Sequence, residues 1–402
     1  MSDETLIEPR SAAEVRAAMT RNRKSLCGYF SERAEIIGTL YVAALSGQHV
    51  LLVGDPGTAK SALTEAWTTQ WADAVYWSGL MTRQTVESDV LCHLDVEQFA
   101  QHSRYVYVYE GHAPPAHFAF LDECFKSPGG LLNSLLGWLN ERVVKRRHAA
   151  GAAFASPLVT CIGASNEFGE DDSTRALDDR FLLRHKPEYI QDDAAKIQFL
   201  RDRAARKAPP TLEPLSLAEL QAAQEAAAAL PIDDAIFAAL SGLQRTLVGA
   251  SINVSDRRIG QCLAVLQAWA WLEGETSVGP EHLDVLRHVL WYRPEDRPAV
   301  DAAIGAIDKG LIGEIRSIAE QALEPFYTAR DGADAGPESL RAYHNGCPDF
   351  MVKLQEAAEK IKQRFGGQVP ERVKVRSKQY LDELREAFKA AREDAQKARL
   401  GL

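Results

Sequence analysis

No Cys-x-x-Cys pair occurs in this chain of 402 residues, and its cysteines, at 27, 92, 124, 161, 262 and 347, lie far apart. That spacing excludes a zinc ribbon and a small disulfide framework, and fits a reduced interior. Long hydrophobic runs are missing too: none approaches the roughly 18 residues a membrane helix needs. The opening MSDETLIEPR is acidic and has no apolar stretch of the signal-peptide kind. The cytoplasm is the expected location. Positive charge is in deficit, 46 Lys+Arg against 56 Asp+Glu, for a net −10. A surface that coats nucleic acid is therefore disfavoured, although a local basic stripe is not. What remains is 46% hydrophobic and 25% charged, the composition of a soluble globular protein, long enough for two or three domains.

Up to about residue 190, short apolar runs alternate with helical patterns. HVLLV (49–53), AVYW (74–77), HFAFLD (117–122), LVTCIGAS (158–165) and FLLRHKPEY (181–189) read as strands. Between them lie ERAEIIGTLYVAALSG (32–47) and SPGGLLNSLLGWLNER (127–142), where Ser127 can cap and Pro128 suits the first helical position. Continuous apolar strands alternating with helices imply a parallel sheet covered on both faces. From 191 to about 296 the strands stop. Four helical segments follow, the first opened by the capping box Ser216-x-x-Glu219. In the last hundred residues, Ile304, Ile307, Leu311, Ile315 and Ile318 fall on one helix face. Phe350, Leu354, Ala357 and Ile361, then Leu384, Phe388, Ala391, Ala395 and Ala398, repeat the pattern. The expected division is an N-terminal segment (1–20), an α/β core (21–190), an all-helical lid (191–296) and a helical C-terminal region (297–402), for partner docking or simple packing.

GDPGTAKS (54–61) follows the first strand and precedes a helix, as a phosphate-binding loop should. Gly54 and Gly57 supply permissive backbone, Pro56 stiffens the turn, and Asp55 and Thr58 complete the loop. Lys60 would reach the terminal phosphates and the Ser61 hydroxyl would hold Mg²⁺. Ala59 stands where the general pattern has glycine; at the start of a helix, alanine is expected to take helical dihedrals without cost. About sixty residues on, HFAFLDE ends in two carboxylates. Asp122 suits the Mg²⁺ water shell and Glu123 suits activation of an attacking water. Asn166, in LVTCIGASNE, ends a strand where its amide can position that water, or merely cap a turn. Arg180 (in RALDDRF) and Arg257 (in VSDRR) complete the set. A cation in a helix's first turn is poorly placed for the helix dipole, which hints at another duty for Arg257.

With these elements in order, the chain resembles MoxR-type AAA+ ATPases, most of all the RavA (regulatory ATPase variant A) subgroup. The resemblance spans Tyr29 to Tyr292, through LMTR (80–83), LLNSLLGWLNER and LRHVLWY as well as the motifs above. It implies a P-loop AAA+ αβα sandwich and a homo-hexameric ring that hydrolyses ATP with Mg²⁺ between neighbouring subunits. It makes Lys60 and Ser61 Walker A residues, Asp122 and Glu123 Walker B, and Asn166 sensor 1. Arg180 becomes the finger reaching the next subunit, and Arg257 a sensor 2 touching its own subunit's nucleotide. It also implies an insert at about 84–115, a hairpin at 142–157, and chaperone-like work on protein clients with a von Willebrand factor A partner. RavA-like proteins carry a compact β-rich domain between their C-terminal helices that binds a lysine decarboxylase; the stretch near 327–349 is too short for it, so that partner is not expected.

Two other readings stand beside the remodelling ring. One is a nucleotide-gated scaffold with little turnover. The other is a nucleic-acid motor, which rests on VKRRH (144–148) alone. His112 and His117 could be taken for a metal pair, but the two prolines between them and the lack of a third ligand favour a plain loop.

Overall fold

The computed structural model describes residues 10–146, 153–169, 172–307, 311–333, 336–365 and 371–400. Contacts divide them into two compact units. One takes the described residues of Met1–Pro231, Leu247–Leu272 and Val285–Val300; the other takes those of Ile232–Thr246, Glu273–Asp284 and Asp301–Leu402.

In the first unit, α1 (Ala12–Tyr29) and α2 (Ala34–Ser46) precede strand β1 (Val50–Val53) and helix α3 (Lys60–Thr68). Next come β2 (Tyr76–Leu80), α4 (Glu87–Val90), β3 (His93–Leu94), α5 (Val96–His102), β4 (Tyr107–Val108) and β5 (Phe118–Asp122). They lead to α6 (Gly129–Glu141), β6 (Val143–Val144), β7 (Phe154–Ala155), β8 (Thr160–Ser165), α7 (Asp172–Asp178) and β9 (Leu183–His185). Helices α8 (Asp193–Ala204) and α9 (Leu217–Ala228) follow; α10 (Asp234–Gly249) and α11 (Asp256–Glu273) come next in the chain.

Five strands form one parallel sheet in the order β2-β5-β8-β1-β9. Its centre is apolar for a simple reason: every residue of β1 and the first four of β5 are buried, as a sheet covered on both faces requires. Tyr76 rather than Ala74 opens β2. The insert is a small antiparallel pair, β3 with β4, and the hairpin near 142–157 is held by β6 against β7, its tip (147–152) lying outside the described residues. Pro128 proves to be the N-cap of α6, not its first helical residue, and the buried Ser127 hydroxyl has no hydrogen-bond partner. The Ser216–Glu219 capping box at α9 is present.

In the second unit, three long helices, α13 (Leu311–Gly332), α14 (Pro337–Phe365) and α15 (Glu371–Leu400), pack on one another; α12 (Arg297–Ile307) precedes them. Their core joins Ile315, Ala319 and Phe326 to Leu354, Ile361, Leu384 and Ala391. The stretch from Ile304 to Ile318 is therefore two helices, with 308–310 outside the described residues. Residues 280–288, expected as α-helix, wind as the tighter 3₁₀ form.

Two buried imidazoles contribute to the acid side of stability. His49 accepts the Cys161 N–H at Nδ1 (2.9 Å), and its Nε2 lies against the Leu139 carbonyl (3.1 Å) and Arg142 Nη1, so both nitrogens have partners. Burial, then the nearby Arg142, holds its pKa well below the usual value. His185 is depressed likewise by burial, then by His288 and Arg297. Because the folded values lie below about 6.5, the unfolded chain binds more protons below that pH, and stability falls with acidification, by up to about 1.4 kcal/mol per group per pH unit. Thermal unfolding followed at pH 7, 6 and 5 is expected to show a falling midpoint. A midpoint that held or rose would count against rings buried in the neutral form.

Candidate functional site: two edges of one sheet

Parallel strands end on the same side, and the carboxyl edge of such a sheet is where ligands bind. At that edge β1 runs into the loop 54–59. Gly54 is dictated by close approach: a Cβ there would stand 2.5 Å from the Pro187 carbonyl oxygen. Gly57 has φ +81°, and Thr58 Oγ1 donates to the Asp55 carbonyl at 2.9 Å. Ala59 departs from expectation. It is the N-cap of α3 with φ +66° and ψ +25°, left-handed rather than helical, a conformation that costs an L-residue roughly 1–2 kcal/mol. The general pattern's glycine is therefore a real conformational demand, which this chain meets with alanine.

Lys60 turns back over the loop, donating to the carbonyls of Gly54 and Asp55 (3.1 Å to the latter). Burial lowers its pKa, while Asp122, Glu123 and Asp55 push the other way. The lysine, Asp122 at the end of β5 and Glu123 just after it thus share one electrostatic neighbourhood. Burial raises the pKa of Asp122, which the Glu123 charge reinforces and the Glu123 N–H bond (3.1 Å to Oδ1), Lys60 and Lys126 oppose. Glu123 has φ +53°. Its Oε2 is shielded from solvent, 3.2 Å from Lys126 Nζ but without a hydrogen bond. Asn166 is exposed in the bend directly after β8, the strand that pairs with both β5 and β1. Ser61 is exposed on the first turn of α3.

The arginines lie at the opposite edge. Helix α7 carries the chain back, and β9 begins beside the start of β1, Leu183 opposite Val50. Just before β9, Asp179 meets Arg180 Nη1 at 3.2 Å, Arg257 Nη2 at 3.5 Å and Arg258 Nη1 at 3.4 Å. Gln261 of α11 reaches Gln48, just before β1, at 3.2 Å. The length of β1, about 3.3 Å per residue, thus stands between Arg257 and Lys60 of the same chain. That placement is at variance with the expected contact of Arg257 with its own subunit's nucleotide. Burial, then Arg257, lowers the pKa of Arg180, with Asp179 opposing.

Sequence reasoning missed several residues. Arg258 is only 1% exposed; it bonds the carbonyls of Val289 (2.9 Å) and Leu182 (3.0 Å) and lies 4.7 Å from the Tyr292 ring centre. Burial brings its pKa down to about 10, with Arg184 reinforcing. Arg33 braces the loop, donating to the carbonyls of Thr58 (3.3 Å) and Glu188, while Tyr189 Oη reaches the Pro56 carbonyl (3.1 Å). Beside the loop opens a cavity of about 490 Å³, bounded by Tyr29, Thr58, Tyr189, Phe199, Asp202 and Lys207 among others. None of these has a local motif that could have flagged it. His112 pairs with His93 (3.4 Å) rather than with His117. The donor atoms of Glu35, His185 and His288 lie within 4.8 Å of one another, but Arg297 beside them disfavours a cation.

The sheet order, loop and helical additions define a P-loop AAA+ αβα sandwich with a helical lid and a helical C-terminal region. Residues 17–218 match the MoxR domain of the MoxR-vWA-beta-propeller ternary systems, and 235–304 match the AAA lid domain. Two uncharacterized proteins of Methanocaldococcus jannaschii are similar. One is 30% identical over 312 residues, 78% of each chain; the other is 31% identical over 291 residues, 72% of this chain and 76% of its own. A crystal structure of a candidate ATPase from Cytophaga hutchinsonii shares the fold, with TM-score 0.60, 17% identity, and coverage of 74% of this chain and 94% of that one. The chain belongs to the MoxR family of AAA+ ATPases.

Replacing Ala59 by glycine is expected to raise unfolding free energy by about 1 kcal/mol while nucleotide affinity is kept, since the left-handed cost disappears. Urea unfolding of both proteins measures this, and a less stable Ala59→Gly protein would contradict the left-handed assignment.

Proposed function

We propose that this chain hydrolyses ATP as a ring, with Mg²⁺, and uses the cycle to remodel protein clients. The observation that carries the reading is the gathering of Lys60, Asp122 and Glu123 at the sheet's carboxyl edge, around a loop whose backbone is shaped for phosphate. Ser61 and Asp122 are the groups that would hold Mg²⁺; the half-buried Asp122 carboxylate, its pKa raised by burial, suits a cation. The ion, when bound, supplies charge neutralisation at the phosphates. Lys60 binds the terminal phosphates, Glu123 takes a proton from the attacking water, and Asn166 orients that water. The cavity beside Thr58 has room for base and ribose.

Arg180, away from its own chain's loop, supports a finger role toward a second copy, and hence a closed ring; we propose six subunits, as the family resemblance implies. A finger in trans is worth roughly 10³–10⁵ in rate. Kinship to the RavA subgroup rests on motif phrasing alone, whereas the matched profile is that of the ternary systems. We therefore propose a von Willebrand factor A protein and a β-propeller component as partners. Six free cysteines suit a cytoplasmic setting. The division into core (21–190), lid (191–296) and C-terminal region (297–402) is proposed on the same footing. The nucleic-acid reading loses ground: Lys145 is paired with Glu141 (2.5 Å) and Arg146 with Glu87 (2.6 Å).

Glu123→Gln is expected to bind ATP normally while hydrolysis falls roughly 10²–10⁴-fold; a fluorescent-nucleotide titration and a phosphate-release assay read the two. A scaffold without turnover would show no hydrolysis to lose. Arg180→Ala and Lys60→Ala proteins, each inactive, are expected to regain activity on mixing, because one kind of interface in a mixed ring is intact. Confirmed mixed rings without any recovery would place the finger elsewhere.

A further inference from the structure

Asp178 and Asp179 are adjacent and do different work. Asp178 is buried and grips Arg184 Nη1 with both oxygens, at 2.8 and 2.9 Å. Asp179 is 34% exposed and shared: Oδ2 faces Arg180 and Arg257, and Oδ1 faces Arg258, at 3.2 to 3.5 Å. Good charge-assisted N–H···O bonds are about 2.7–2.9 Å long, so all three contacts are loose. Arg180, Arg184, Arg257 and Arg258 against Asp178 and Asp179 leave two positive charges in excess (four minus two). Arg180 Nε is shielded from solvent without a hydrogen bond, and the Arg257 side chain is 44% exposed. Among these six side chains cations are in excess, and the one shared carboxylate is weakly held.

We propose that Asp179 is a positioning residue, an exchangeable counter-ion. It holds the guanidiniums of Arg180 and Arg257 together and yields them to the phosphates of a nucleotide bound by a second copy of this chain. The proposal rests on the reading of an ATP-hydrolysing ring. Lys60 of the same chain lies at the far edge of the sheet, so the incoming anion belongs to another copy. Arg258 does not take part in the exchange. Tied to the carbonyls of Leu182 and Val289, it keeps Asp179 in place when the other two leave. The two arginines that would exchange come from distant parts of the chain, the turn after α7 and the start of α11. Their shared carboxylate therefore couples the α7 turn to α11 each time a phosphate arrives.

The test is the dissociation constant of a nonhydrolysable ATP analogue for the assembled protein, with thermal unfolding of each variant alongside. Asp179→Asn is expected to tighten binding roughly three- to ten-fold, the release of two loose ion pairs. Asp179→Glu restores the wild-type value, and in an Arg257→Ala background the Asn change gives only a part of that gain. Weaker or unchanged binding in an Asp179→Asn protein that melts like wild type overturns the proposal; so does a full gain in the Arg257→Ala background. Should the Asn variant fail to fold, Asp179→Ser is read by the same criteria. Lys60→Ala separates this idea from the one beneath it. If that variant binds the analogue like wild type, the nucleotide-site reading falls and takes the proposal with it. If it loses binding while Asp179→Asn shows no gain, only the counter-ion role falls.

Discussion

Parallel pairing of β1 between β8 and β9 ties Val50 to Ile162 on one side and to Leu183 on the other, and the remaining geometry follows from it. With every strand running one way, the residues that end strands collect at one edge: Gly54, Asp122 and Asn166. Those that precede strands collect at the other: His49, Asp179 and Arg180. A helix must carry the chain back each time, so α3 and α7 connect opposite edges. The loop and its carboxylates are thereby kept apart from the arginines within one molecule. The separation is what makes a second copy chemically necessary to the proposed cycle.

The two edges are built from different physics. The phosphate edge is a matter of backbone: close approach at Gly54, left-handed dihedrals at Gly57 and Ala59, and carbonyls gathered under Lys60. Arg33 and Tyr189 hold that backbone by bonding its carbonyls. The arginine edge is a matter of charge. Arg184 and Arg258 flank the Tyr292 ring at 5.0 and 4.7 Å, and each is fixed by carbonyls or by Asp178. Arg180 and Arg257 have only Asp179 in common. Firmly bonded cations frame loosely paired ones.

Much of this was legible in the residue string. The strands, the loop GDPGTAKS, the acids after FAFL and the arginines in LDDRF and VSDRR are local patterns, set by burial period and by neighbours in sequence. The errors have local explanations too. Pro128 reads as a first helical residue, yet its extended ψ of 147° makes it the cap. Ala59 reads as helical because alanine favours helix, but the chain turns left-handed there as it enters α3. A propensity describes the residue, not the path the fold requires of it. The cavity near Thr58 was invisible for another reason: Tyr29, Tyr189 and Phe199 are far apart in sequence and meet only after α1 and α8 flank the loop.

By itself the sequence determined which groups are available and which segments become strands or helices, because hydrophobic period and motif spacing act over a few residues. Tertiary structure alone decided how the arginines are used. Asp179 and Arg258 are separated by 79 positions, and nothing short-range marks either as the other's partner. Pairing of distant charges depends on the direction of β9 and the placement of α11, and those are set by packing across the whole sheet.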